Sequence, residues 1–154
     1  MLLAAGIMVA FFRNTGHSLQ TPTNDKPVVV LRTPKHAQAA AGDRAEAERT
    51  LERFVQAAVL RRSPGRAWEL ATPHMRVGST QNEWKRGILP VVPYPSAEYR
   101  DDGLTLKYSY RGVLGYDVLV LPKSPKGDQL VYSCELHHLR GQWLVEWCYP
   151  RTTL

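Results

Sequence analysis

Two alternating runs that meet at Arg140-Gly141 constrain this chain more than any other stretch. In the first, Leu130, Tyr132, Cys134 and Leu136 alternate with Val131, Ser133, Glu135 and His137. In the second, Trp143, Val145, Trp147 and Tyr149 alternate with Leu144, Glu146 and Cys148. A strand sends successive side chains to opposite faces, so residues 130–149 read as a hairpin in which Gly141 supplies the positive φ of a tight turn. A two-residue turn sets Leu136 opposite Val145, Cys134 opposite Trp147 and Tyr132 opposite Tyr149, with every large apolar side chain on one face and Cys148 pointing away. A three-residue turn would oppose Cys134 to Cys148, but it would also set Leu136 against Glu146 and Glu135 against Trp147. Each large apolar side chain left exposed costs ~1.5–3 kcal/mol, against the ~2–4 kcal/mol a disulfide contributes. The expectation is therefore two free thiols, and a bulge near Gly141 would restore the bridge.

The period of two starts earlier. Leu104, Leu106, Tyr108 and Tyr110 alternate with polar residues, a turn follows over residues 112–115, and residues 116–121 form a second strand that is largely apolar on both faces. The loop PKSPKGD joins it to the hairpin. If Leu121 pairs with Leu130, Asp117 falls opposite Cys134 on the inward face. A slip of one residue turns Asp117 to solvent and Tyr116, Val118 and Val120 inward.

Upstream the period changes to that of a helix. Leu51, Phe54, Val55, Ala58 and Val59 make one apolar face of a helix over residues 43–62, which Asp43 and Glu46 open with the spacing of a capping box. Ser63-Pro64 starts a second helix, anchored by Trp68 and closed at Thr72-Pro73. Thr80 with Glu83 caps a third, which carries Trp84 and stops at Gly87. Pro90, Pro93 and Pro95 make the following segment an ordered crossover. Helices first and an antiparallel meander afterwards give an α+β fold: N-terminal helices packed on a curved, four-stranded or larger antiparallel sheet.

Residues 1–12 are apolar and uninterrupted by charge. They are too few to span a bilayer, which needs ~20, and they lack the basic region and cleavage site of a secretory signal. We read them as part of a membrane anchor, residues 13–42 as a Pro- and Ala-rich flexible linker, and residues 43–154 as the folded domain. This arrangement implies an extracytoplasmic protein tethered to a membrane. A net charge of +6 permits anionic partners, but the basic residues are dispersed and no groove-reading motif is present, so nucleic acid is not expected. No nucleotide-binding, zincin or hydrolase motif occurs, and no cofactor is expected. His137 and His138 are consecutive on a strand and point to opposite faces, so they cannot share a metal, and no metal is expected.

The helix order, the short helix containing AWELATP, the segment EWKRGILPVVPYP and the closing strand GQWLVEW together resemble the nuclear transport factor 2-like superfamily over roughly residues 45–149. EWKRGILPVVPYP is similar to a stretch found in small bacterial members with an N-terminal anchor. The resemblance implies a cone-shaped α+β fold. It also implies one of two functions. Some members are isomerases, dehydratases or cyclases of the ketosteroid isomerase type, with a buried Asp or His beside a hydroxyl donor. Others are non-catalytic domains of envelope and secretion machinery. In the enzymatic case the candidates here are Asp117, Tyr110, Tyr132 and His138, since burial would raise a carboxyl pKa towards working pH. With Asp117 the sole candidate for a buried acid, the expected function is non-catalytic binding of a protein or cell-envelope partner. The sheet face that the helices leave uncovered is expected to carry Val131, Leu144 and either Leu119 or Val118, and to support a weak homodimer.

Overall fold

The computed structural model describes residues 41–151; the anchor and almost all of the linker inferred above lie outside them. Helix α1 (Ala41–Phe54) continues directly into a wide π-helical turn (Val55–Val59), followed by α2 (Pro64–Leu70) and α3 (Gln81–Lys85). Four strands follow, β1 (Ala97–Tyr110), β2 (Val113–Pro122), β3 (Leu130–Leu139) and β4 (Gln142–Pro150), forming an antiparallel meander in the order β1-β2-β3-β4. The helices pack on one face of this open sheet, so the general α+β expectation holds.

Helix α1 buries Ala47, Thr50, Leu51 and Phe54 at helical spacing. Asp43 lies within its first turn rather than ahead of it, where the carboxylate meets the positive end of the helix dipole without forming the expected box. The π turn was not legible in the sequence. The Leu60 N–H donates to Val55 O at 3.0 Å, a five-residue step, and the wider turn brings Ala57, Ala58, Val59 and Leu60 successively into the core. Arg61, at φ 56°, then ends the helix.

Pro64 occupies the first turn of α2, but the Ser63 hydroxyl makes no capping hydrogen bond. The box on α3 is complete. The Glu83 N–H donates to Thr80 Oγ1 at 3.3 Å, and the Thr80 N–H donates to Glu83 Oε2 at 2.7 Å. Gly87 closes this helix at φ 85°. Trp68 and Trp84 meet edge to face at 5.3 Å, and the Trp84 indole donates to Ser79 Oγ.

In the sheet, Tyr116 pairs with Cys134, Asp117 with Ser133 and Val120 with Leu130. This is the second of the two registers weighed above. Leu114, Tyr116, Val118 and Val120 of β2 and Tyr132, Cys134 and Leu136 of β3 face the helices and are buried. Tyr110 pairs with Val113, so the β1-β2 turn is only Arg111-Gly112, and Gly115, expected in the turn, lies inside β2.

The cysteine expectation is overturned: Cys134 and Cys148 are joined in a disulfide, their Cα atoms 4.1 Å apart. The two-residue turn is present, with Arg140 and Gly141 both at positive φ, and Leu136 pairs with Val145. Beyond that pair Glu135 faces Trp147 and Cys134 faces Cys148. Glu146 is therefore an extra residue on β4, a bulge five positions past Gly141. It reverses the alternation, so Val145 and Cys148 both face inward, while Trp147 and Tyr149, expected inward, lie on the outer face. The change of register avoids setting Leu136 against Glu146, but it keeps Glu135 against Trp147 and leaves Trp147 and Tyr149 on the outer face.

Candidate functional site

The outer face of the sheet carries a row of aromatic and charged side chains. The buried side chains of all three helices join a core with inner-face residues, and at the β4 edge of the outer face the segment after α2 reaches Glu146 through His74. Across its middle, paired residues place Tyr108, Gly115, Glu135 and Trp147 in one row over the four strands. Gly115 is what allows the row to close. A Cβ there would sit 2.1 Å from Tyr108 Cζ, so only glycine lets the phenol lie flat across β2. The Tyr108 hydroxyl reaches Glu135 and donates to Oε2 at 2.6 Å. Burial, then that hydrogen bond and the carboxylate charge, raise the Tyr108 pKa, which keeps the phenol a donor.

One row further along, Asp117 and Ser133 are adjacent. The Asp117 carboxylate accepts from Ser133 Oγ at 2.8 Å and from Arg151 Nη1 at 2.8 Å, with Lys107 Nζ at 3.5 Å. Its side chain is only 14% exposed. Tyr149, 53% exposed, stacks on Trp147 with ring centroids 4.8 Å apart. Lys107, Tyr108, Asp117, Ser133, Tyr149 and Arg151 line a shallow depression of 450 Å³.

On the other side of the row lies a second polar group. His137 Nε2 donates to Glu135 Oε1 at 2.7 Å, and the bulged Glu146 bonds His74 Nδ1 with His137 Nδ1 4.0 Å away. Burial alone would raise the Glu146 pKa. The hydrogen bonds from Thr72 and His74, with the nearby His137, reverse that and hold the carboxyl below its ordinary 4.5.

The four residues singled out from the sequence do not converge. Asp117 sits on the outer face. Tyr110 shares that face but lies at the β1-β2 turn, 47% exposed and 5.4 Å from the Tyr108 ring, whereas Asp117 pairs with Thr105. Tyr132 is fully buried on the inner face, donating to Val92 O at 3.0 Å. His138 is exposed at the end of β3 against Trp143. Inside, Trp84, Tyr116, Tyr132 and Phe54 fill the space between helices and sheet, and burial pushes the Tyr116 phenol up to about 12. Trp147, Tyr149, Glu135 and Arg151 were missed as site residues. Pairing the two cysteines across the turn would have turned Trp147 and Tyr149 outward, because it requires one bulged residue between, whereas Arg151 lies past the end of β4. Among the described residues no group of His, Cys, Asp and Glu could hold a metal, and no helix is long and apolar enough to cross a membrane.

No family model, curated protein or solved structure matches this chain.

Proposed function

We propose that this protein is a non-catalytic, membrane-tethered extracytoplasmic domain of nuclear transport factor 2-like architecture, and that it binds a protein or cell-envelope component through the outer face of its sheet. The observation that carries this reading is the outer-face row Tyr108, Glu135 and Trp147, flanked by Tyr149, Asp117 and Arg151. Aromatic side chains beside charged donors are the groups that concentrate binding energy at interfaces. The disulfide supports an oxidising compartment. The isomerase or dehydratase reading requires an acid and a hydroxyl donor facing one enclosed volume. Here the sole candidate acid lies outside the core, and large aromatic side chains fill the interior.

Site-specific photocrosslinking tests the reading. The full chain in its source cell would carry a photoreactive residue at Tyr149 or, as control, at Arg66 on the helical side. The expected result is an adduct of defined mass from position 149 and none from position 66. Adducts only from position 66, or from neither, would refute it.

A further inference from the structure

The depression beside Asp117 has features that select a class of ligand, and this step rests on the outer face being the binding surface. Tyr108, laid across Gly115 by its bond to Glu135, supplies one aromatic surface. Tyr149, stacked on the Trp147 ring, supplies another. The floor is Asp117 with Ser133, and the rim carries Lys107 and Arg151. At 450 Å³ the space lies towards the small end of small-molecule sites and suits one or two ring units.

A pyranose presents an apolar face of polarised C–H groups, which packs on the electron-rich face of an aromatic ring, and an edge of hydroxyls. Both surfaces are met here. Asp117 already accepts from Ser133 and Arg151 and sits beside Lys107, which leaves roughly one lone-pair site of a carboxylate's four open to a sugar hydroxyl. The donors are in excess: Lys107 has three and Arg151 five, while the depression holds one acid. Two cations against one carboxylate favour a ligand that itself carries a carboxylate. A single-stranded nucleic acid fits less well. It needs a positive groove that tracks successive phosphates, and here a carboxylate occupies the middle of the floor.

We propose that this depression binds a sugar ring of a carboxylate-bearing glycan, its apolar face on the Tyr108 and Tyr149 rings, its hydroxyls on Asp117 and Ser133 and its carboxylate on Arg151 and Lys107. The test is isothermal titration of the full chain with three probes: an oligogalacturonate tetramer, the neutral chitotetraose and an octathymidylate. The expected order has the galacturonate at least about tenfold tighter than the neutral sugar and the oligonucleotide weakest. Tyr149 is exposed, so Tyr149→Ala leaves the fold intact by circular dichroism and is expected to weaken galacturonate binding about tenfold or more. Arg151→Ala is expected to remove the preference for the acidic sugar. No binding of either sugar at millimolar concentration, equal affinities for the two sugars, binding indifferent to Tyr149→Ala, or tighter binding of the oligonucleotide would each overturn the proposal. If sugars fail while the crosslink at position 149 persists, this inference falls and the proposed function stands. If both fail, both fall.

Discussion

Replacing Gly115 by alanine tests the geometry of the outer face more sharply than any change to an exposed side chain. The new Cβ would lie 2.1, 2.3 and 2.5 Å from Tyr108 Cζ, Cε1 and Cε2, distances at which the ring must leave. Its departure breaks the 2.6 Å hydrogen bond to Glu135, and a bond to a charged acceptor contributes about 1.5–3 kcal/mol. It also returns one face of the phenol to water. If ~50 Å² of apolar surface is uncovered, at ~25 cal/mol per Å² that adds ~1 kcal/mol. Against this, alanine lowers the entropy of the unfolded chain and stabilises by ~0.4–1 kcal/mol. The ring is half-buried, which puts the hydrogen bond at the low end of its range, and the expected net loss is about 2 kcal/mol in urea unfolding. The decisive assay is a double-mutant cycle. In a Tyr108→Ala background nothing remains for the Cβ to strike, so Gly115→Ala should be neutral or slightly stabilising. An equal loss in both backgrounds would show that the ring does not lie across Gly115.

Three further outcomes are expected. Intact mass after alkylation without reductant should show no added alkyl group, and replacing both cysteines by alanine should cost about 3 kcal/mol in urea unfolding, the loop-closure value for a separation of 14 residues; two added groups would place the thiols free. Thr80→Ala removes the hydroxyl that accepts from the Glu83 N–H and should cost about 1 kcal/mol, whereas a neutral effect would mean that α3 does not depend on its cap. The Glu146 carboxyl is held below its ordinary 4.5, so its contribution is full above that pH and is lost as pH falls through the depressed folded value. Stability should therefore decline in acid less steeply in Glu146→Gln than in the parent, and parallel pH curves would contradict the network around the bulge.

Much of the architecture was legible because its signals are local. The Thr80–Glu83 box, the stop at Gly87, the Arg140-Gly141 turn and the apolar face from Leu51 to Val59 each follow from a few neighbouring residues. The bulge was not legible, for a specific reason. Trp143, Val145, Trp147 and Tyr149 keep an unbroken alternation through Glu146, so the pattern of large side chains does not mark the point where the strand changes faces. Only the long-range pairing of Cys134 with Cys148 reports it. The site was hidden by the same device, since Trp147 and Tyr149 read as core until the bulge turns them outward. Asp117 was recognised as a notable acid, but its partner Arg151 lies past the end of β4, where no periodicity constrains it.

The claim that the outer face is the binding surface is tested most directly by the indole N–H resonances of the full, ¹⁵N-labelled chain titrated with solubilised envelope material from its source cell. The four tryptophans report on different places: Trp147 lies on the outer face, Trp84 and Trp143 are buried, and Trp68 packs edge to face with Trp84 beneath Arg76. With assignment from Trp147→Phe, the Trp147 signal should shift or broaden while those of Trp84 and Trp68 stay in place. Movement of Trp68 and Trp84 with Trp147 unchanged would place binding on the helical side and contradict the account.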